Sequence, residues 1–548
     1  MPTQDTVTEV DVVIVGAGFA GINALYNMRR QGLSTVLLEA AHGVGGTWFW
    51  NKYPGARVDI ESLEYSYGFR DDIQQEWSWS EKYAGQPEVE RYLNWVTDRL
   101  DLRDHIRFGR TVTQMVFDDA TSTWSTTATT DAGGSRAEER FRSPNVVLAT
   151  GFLSTPNFPA IPGLDSYQGD LVHTGAWPDP SPELTGRRIG VIGTAASGVQ
   201  VIQEASKVAD HLTVFQRTAN WCFPLRNSPM DPSYEAFVKE HYSEIRRLEH
   251  EARGPGMVLM DGRIVLPENR NALDVGPAER QSDFEWRWQA GGVHMGRSFA
   301  DLVRSDEANA ELRRFLEGKI RGIVRDPAIA EKLIPDYPPL SRRPPGESGY
   351  YEAFNRDNVE LVDIHDDPVV EIVPEGVRLA SGAVHEVDVL IFATGFDAAT
   401  GAALRIDIRG RDGRLLSDHW ADGARTLLGM MTSGFPNLYF VNGPQSPAFH
   451  FSPPLLCDFQ TQYIGDLIGN VASKGLSTIE PTPEAELSWV EHANSVYAAT
   501  LIWKTNSWWV GANIPGKPRQ ALAYGGGFAL YKNRAVDAAD GLREFVTA

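Results

Sequence analysis

Asp11-Val-Val-Ile-Val15 runs directly into Gly16-Ala-Gly-Phe-Ala-Gly21, and the reading of this stretch decides the fold. The apolar run has the length of a buried strand. The residues after it, Ile22 to Gln31, read as a helix ended by Gly32, and Ser34-Thr-Val-Leu-Leu-Glu39 reads as a second strand. Strand, glycine turn, helix and strand make a βαβ unit of the dinucleotide-binding kind. Gly16 permits the tight turn, Gly18 lets backbone approach a pyrophosphate, and Gly21 lets helix pack on strand. Amides at the helix start then face the phosphates. Glu39 closes the second strand, where a carboxylate accepts hydrogen bonds from ribose hydroxyls and repels a 2′-phosphate. The first site is therefore expected to take FAD.

A second unit of the same kind begins with Arg188-Ile-Gly-Val-Ile192, turns at Gly193-Thr-Ala-Ala-Ser-Gly198, continues as a helix from Val199 to Ala209 and ends on Leu212-Thr-Val-Phe215. Ala195 replaces the middle glycine, which should hold phosphates slightly further from the backbone; the hydroxyls of Thr194 and Ser197 are expected to compensate. No acid follows the second strand. Arg217 and Thr218 stand there instead, and a guanidinium binds a 2′-phosphate through two parallel hydrogen bonds, so this site is expected to take NADPH. Two further apolar runs, Asn145 to Gly151 and Asp388 to Gly395, both end in Ala-Thr-Gly, as segments crossing between two nucleotide domains commonly do. Charged, helix-favouring stretches from Tyr234 to Arg253 and Asp306 to Arg325, with Trp286 and Trp288 between, read as a helical insertion.

The expected class is α/β, with two Rossmann-like dinucleotide-binding domains and that insertion. The division reads 1–150 as the first part of the FAD domain, 151–222 as the first part of the NADPH domain and 223–340 as the insertion. Residues 341–387 complete the NADPH domain, and 388–548 complete the FAD domain with a C-terminal loop region. A chain of 548 residues exceeds one compact core, and 42% hydrophobic against 22% charged residues is a globular balance. A net charge of −21 opposes nucleic-acid and anionic-membrane partners. Two distant cysteines, Cys222 and Cys457, support neither a disulfide framework nor a Cys-rich metal site, and no metal is expected. The start, Met1 to Val10, is polar, and no apolar run approaches the ~20 residues of a membrane span, so a cytoplasmic protein is expected.

Three further motifs resemble those of the Baeyer–Villiger monooxygenases of the two-dinucleotide-domain type. Gly45-Gly46-Thr47-Trp48, running on to Tyr53-Pro54-Gly55 and Asp59, looks like one family segment. Tyr167-Gln-Gly169, His173 and Trp177-Pro178 resemble the family fingerprint, with Tyr167 where phenylalanine is usual. Arg342-Arg343-Pro344 matches a third segment that usually reads Lys-Arg. Ser507-Trp508 and Gly511 to Gly516 also look like a family segment.

The resemblance implies a cycle in which NADPH reduces FAD, oxygen forms a flavin C4a-peroxide, and this attacks a ketone to give an ester or lactone. It implies Arg343 as the fixed positive charge for the developing anions and Asp59 as the carboxylate that orients it. Trp48 and Tyr65 would pack on the flavin, Arg342 would share the 2′-phosphate with Arg217, and Trp508 would close over the nicotinamide. His173, on the segment that joins the two nucleotide domains, is read as a structural or hinge residue, with proton transfer as the alternative. The partners implied are a small ketone and O2.

Gly443 to Pro454 is expected to line the pocket, with Phe449 and Phe451 suiting a hydrophobic ketone; Asn220 to Leu225 is a second candidate. A nitrogen- or sulfur-oxidising flavin monooxygenase would share both glycine turns but lack Asp59 and Arg343 in these contexts. A disulfide reductase would need a closely spaced cysteine pair. A non-catalytic flavin redox sensor would have no use for Arg217 and Arg343 together.

Overall fold

Val12–Val15 is buried along its whole length and forms the middle of a five-stranded parallel sheet. Its neighbours are Thr35–Glu39 and Asn145–Leu148, with Ile106–Phe108 and Leu438–Phe440 at the edges. Strands covered on both faces read as unbroken apolar runs, which is why Val-Val-Ile-Val and Val-Val-Leu carry so strong a signal. A computed structural model of the chain describes residues 7–132, 135–251 and 256–548. The first part of the polar start, residues 1–6, and Arg253, at the end of the expected insertion helix, lie outside the described residues.

The second sheet repeats the first. Arg188–Ile192 is central, flanked by His211–Gln216 and Val389–Phe392, with Val359–Asp363 and Asp170–His173 at the edges, all parallel. The return of the chain to the FAD unit had been expected at 388, but that boundary falls one strand early. Val389–Phe392 pairs with Arg188–Ile192, and the first sheet is re-entered only by Leu438–Phe440. An apolar run announces a strand without saying which of two similar sheets it joins. Another five-stranded sheet, mixed in direction, from Val7–Glu9 to Asp407–Arg409, covers the first unit.

The two glycine turns have the same backbone solution. Helix Phe19–Arg30 follows the first and helix Ala196–Val208 the second. A Cβ on Gly21 would fall 1.7 Å from the Gly16 carbonyl oxygen, and one on Gly198 would fall 2.1 Å from that of Gly193. Both positions are thus dictated by helix packing on strand. The insertion supplies helices Pro232–Glu251, Pro277–Ala290 and Asp306–Ile323. Trp288 is buried on the second of these, whereas Trp286 stays exposed. Helix Pro453–Ser473 returns to pack on Phe19–Arg30, joined by Asn27 Nδ2 to Thr461 Oγ1 at 2.7 Å. Among the described residues no helix is long and apolar enough to cross a membrane.

Candidate active site

Both turns open toward one large cavity of about 1280 Å³. From the first unit Gly16, Gly18, Glu39, Gly46, Thr47, Trp48, Asp59 and Tyr65 line it; from the second comes Ser197, and Arg343 and Trp508 complete the set. Gly21 and Gly198 are buried in packing, and Thr194, Arg217, Thr218 and Arg342 lie away from this cavity.

Gly18 tests whether a dinucleotide fits. A Cβ there would meet its nearest protein atom only at 3.4 Å, so the fold does not require glycine; the bare position faces the cavity, as close approach of a pyrophosphate requires. Gly46, at φ +55°, is pressed against it, since its own Cβ would fall 2.8 Å from Gly18 Cα. Glu39 accepts the amides of Ala17 at 2.5 Å and Ala41 at 2.7 Å. Burial pushes its carboxyl up, and these amides hold it back. The Trp48 indole N–H donates to Tyr65 Oη at 3.2 Å, with the rings edge-on.

At the second turn Ala195 has φ −83°, extended backbone that alanine takes without strain. Thr194 does not offer its hydroxyl proton to a ligand as expected: it donates to the Thr218 carbonyl at 2.8 Å. Arg217 is exposed beside Arg342, whose guanidinium lies 4.3 Å from the centre of the Tyr337 ring. Burial pulls Arg342 below its ordinary value, with the Arg217 charge adding to the effect. Arg342 Nε is buried without a hydrogen-bond partner. Among the described residues neither guanidinium has a carboxylate ion pair. Two such cations fit a phosphate.

Arg343 Nη2 donates to both carboxylate oxygens of Asp59 at 2.7 Å, across 284 residues of sequence. The segment carrying Asp59 leans on the second unit. Tyr53 Oη donates to Gln200 Oε1 at 2.8 Å, and a Cβ on Gly55 would fall 2.5 Å from the Gln200 carbonyl. Burial pushes the Tyr53 phenol up to about 12, so it stays a donor. The opposite wall is aromatic: Phe449 packs on Trp508 at 4.5 Å and on Phe152 at 5.0 Å. Trp508 begins a short turn capped by Ser507, and Lys517 beyond it pairs with Asp397 at 2.6 Å. Asn220 to Leu225, the second pocket candidate, does not line the cavity; Trp221, Cys222 and Phe223 are core residues of the second unit, and Leu225 packs in the core of the first. Aromatic content alone does not separate core from pocket. His450 was not singled out from sequence, although it lies within the Gly443 to Pro454 stretch; Ala448, Phe449, His450, Phe451 and Pro453 line the cavity from there.

The fingerprint residues sit at and around the edge strand of the second sheet and do not line the cavity. His173 ends an edge strand, so it belongs to that sheet and not to a free connecting segment. Gly175 N–H donates to its Nδ1 at 2.9 Å, leaving the Nε2 proton for Thr394 Oγ1 at 3.3 Å; that hydroxyl donates to the Asn157 carbonyl at 2.6 Å. Gly169 admits no Cβ, which would lie 2.4 Å from the Asp388 carbonyl. Buried Trp177 donates its amide to the Trp50 carbonyl at 3.1 Å, tying this region to the first unit.

Burial holds His173 down to about 4. A folded value below the ordinary ~6.5 means its contribution is complete above pH ~6.5 and is lost as pH falls toward 4, by about 1.4 kcal/mol per pH unit in that window. His173→Gln should therefore show a smaller drop in melting temperature between pH 7.5 and 5 than the parent protein. Half-buried His250, also held near 4, keeps the remaining acid limb from vanishing. An unchanged drop would show that His173 does not titrate in that range.

Two dinucleotide units facing one cavity, with a cation held on a carboxylate between them and no paired cysteines, define a flavin monooxygenase rather than a disulfide reductase; both cysteines are free and buried. Comparison with known proteins places it further. Residues 10–246 match the pyridine nucleotide-disulphide oxidoreductase family. Acetone monooxygenase (methyl acetate-forming) of Gordonia sp. (strain TY-5) is 39% identical over 536 residues, 97% of this chain and 98% of that protein. A Baeyer–Villiger monooxygenase of Pseudooceanicola batsensis is 39% identical, covering 97% of this chain and 95% of that protein. Among solved structures, an oxidised steroid monooxygenase bound to NADP superposes with a TM-score of 0.91 at 42% identity, covering 98% of this chain and 99% of that one. OTEMO in complex with FAD and NADP gives 0.91 at 36% identity, covering 99% and 100%. The chain belongs to the Baeyer–Villiger monooxygenases, FAD- and NADPH-dependent enzymes that place an oxygen atom beside a ketone carbonyl to give an ester or lactone.

Proposed function

We propose that the chain oxygenates hydrophobic ketones with O2 in this cavity, working in the cytoplasm. The Asp59–Arg343 pair, set where the two dinucleotide units face each other, carries this reading. FAD, when bound, supplies the activated oxygen, and NADPH supplies the electrons.

The residue roles follow from that placement. Gly16, Gly18 and Gly46 leave room for the FAD pyrophosphate, Gly21 lets the helix approach, and Glu39 takes the ribose hydroxyls. Trp48, with Thr47 and Tyr65, bounds the flavin side and helps exclude water. Ser197 and Thr218 lie at the NADPH turn that Gly198 makes possible, Thr194 braces it, and Arg217 and Arg342 take the 2′-phosphate. Arg343 stays protonated and presents a fixed cation to the anionic oxygen that forms when the ketone is attacked. Asp59 aims that cation. Phe449 and Trp508 supply an apolar wall that suits a ketone with hydrocarbon on both sides of its carbonyl. Gly169, His173 and Trp177 set the joint between the units.

The test is to incubate the FAD-loaded protein with NADPH and air against linear, cyclic and steroid ketones, and to identify products by mass spectrometry. An ester or lactone heavier by one oxygen than its ketone is expected. Oxygenation of amines or sulfides alone, or NADPH oxidation that no ketone stimulates, would overturn the reading.

A further inference from the structure

One polar side chain looks into the cavity from its apolar wall. His450 stands between Phe449 and Phe451, just before helix Pro453–Ser473, and lines the cavity with Arg343 and Trp508. Its Nε2 lies 2.5 Å from Tyr497 Oη, on helix Pro483–Ala498, and its ring packs against Trp509 with centroids 4.7 Å apart. Tyr497 is 1% exposed, and its hydroxyl has no other hydrogen-bond partner among the described residues. A buried hydroxyl proton without an acceptor bears its full desolvation penalty, so Tyr497 donates and Nε2 accepts. The imidazole proton is thereby confined to Nδ1. Nδ1 has no protein partner among the described residues, and it is not one of the unpartnered polar atoms sealed from open space. The cavity is the open space that His450 lines.

We propose that His450, fixed by Tyr497 as the Nδ1–H tautomer, is a specificity-determining residue that donates a hydrogen bond to the carbonyl oxygen of the bound ketone. The inference rests on the reading of the chain as a ketone monooxygenase. Burial, with the Arg343 charge beside it, holds the imidazole down to about 4, so at neutral pH the group is a neutral donor. A carbonyl oxygen has two lone pairs, and Arg343 and His450 offer it donors of different kinds, one charged and one neutral. Nδ1–H has no acceptor of its own on the wall, which favours a ligand that brings one. A substrate with hydrocarbon around a single hydrogen-bond acceptor satisfies both the aromatic surface and this donor. A purely apolar ligand would leave the donor unpaired, which discriminates against it.

The experiment compares the parent holoenzyme with His450→Leu, His450→Asn and Tyr497→Phe on a ketone that the parent oxygenates. Flavin reduction by NADPH is followed separately by the loss of flavin absorbance. A neutral hydrogen bond lost at the reacting carbonyl should lower kcat/KM for the ketone by roughly tenfold in His450→Leu. Tyr497→Phe, which frees the tautomer without removing the donor, should fall by a few-fold. In His450→Asn the amide N–H can stand in for Nδ1–H and should recover most of the loss. Equal kcat/KM in His450→Leu and parent would overturn the proposal. So would a fall in His450→Asn as deep as in His450→Leu, or a parallel fall in the flavin reduction rate, which marks structural damage. If the parent oxygenates no ketone at all, the functional reading fails and this inference goes with it.

Discussion

Arg343→Ala should oxygenate ketones some 10²- to 10³-fold more slowly than the parent protein, the range seen when one preorganised stabiliser of a developing oxyanion is removed. The reason lies in what the pair can and cannot do. Arg343, which lines the cavity, contacts Asp59 through a single terminal nitrogen, at 2.7 Å to each oxygen, so Asp59 does not engage its other N–H groups. A guanidinium keeps its proton, so it stabilises an anion without quenching it. Electron delivery needs none of this, and NADPH should still bleach the flavin in the variant. Arg343→Lys restores the charge but not the fork and should recover only part of the rate. The two half-reactions separate the outcomes in stopped flow. Loss of flavin reduction together with oxygenation would place Arg343 in nicotinamide binding instead. Retention of ester formation would remove it from the chemistry altogether.

Arg217→Ala and Arg342→Ala should each raise the KM for NADPH by about ten- to a hundredfold, as the loss of a charge-assisted hydrogen bond of ~1.5–3 kcal/mol implies. The KM for NADH, which has no 2′-phosphate, should change little. The prediction follows from a local imbalance: Arg342 is partly desolvated over Tyr337 with its Nε unpartnered, and the nearby Arg217 repels it. A dianionic phosphate relieves both conditions. The double variant should then favour neither cofactor, because both groups that read the 2′-phosphate are gone. Equal KM increases for NADPH and NADH would show that these arginines shape the turn rather than read the phosphate.

The fold was largely legible because its signals are local. Gly16 and Gly193 take left-handed backbone, at φ +103° and +109°, and Gly21 and Gly198 admit no Cβ, so both turns had to be written in glycine. Ala195 could depart from the pattern because its extended backbone tolerates a side chain; the middle position answers to the ligand, not to the fold. What sequence could not show was long-range. The Asp59–Arg343 contact emerged only from the family resemblance of two segments far apart. The strand Val389–Phe392 was visible, but its sheet was not. Trp221 and Phe223 looked like pocket residues and are core, whereas His450 was passed over because a lone histidine among aromatics carries no spacing of its own. Its tautomer depends on Tyr497, on a helix that begins 33 residues later.

The wedge of Tyr53, Pro54 and Gly55 against Gln200 has a practical consequence for engineering. Sequence order assigns these residues to the FAD unit, but their packing surface belongs to the NADPH unit. A chimera that grafts another monooxygenase's NADPH unit at the strand boundaries would bring a foreign helix against Gly55, where a Cβ would already fall 2.5 Å from the Gln200 carbonyl. The displacement would be passed along the short stretch to Asp59, and so to the aim of Arg343. A workable graft must carry residues 53–59 with the helix they fit, which makes the cut point for modular exchange a matter of contact and not of chain order.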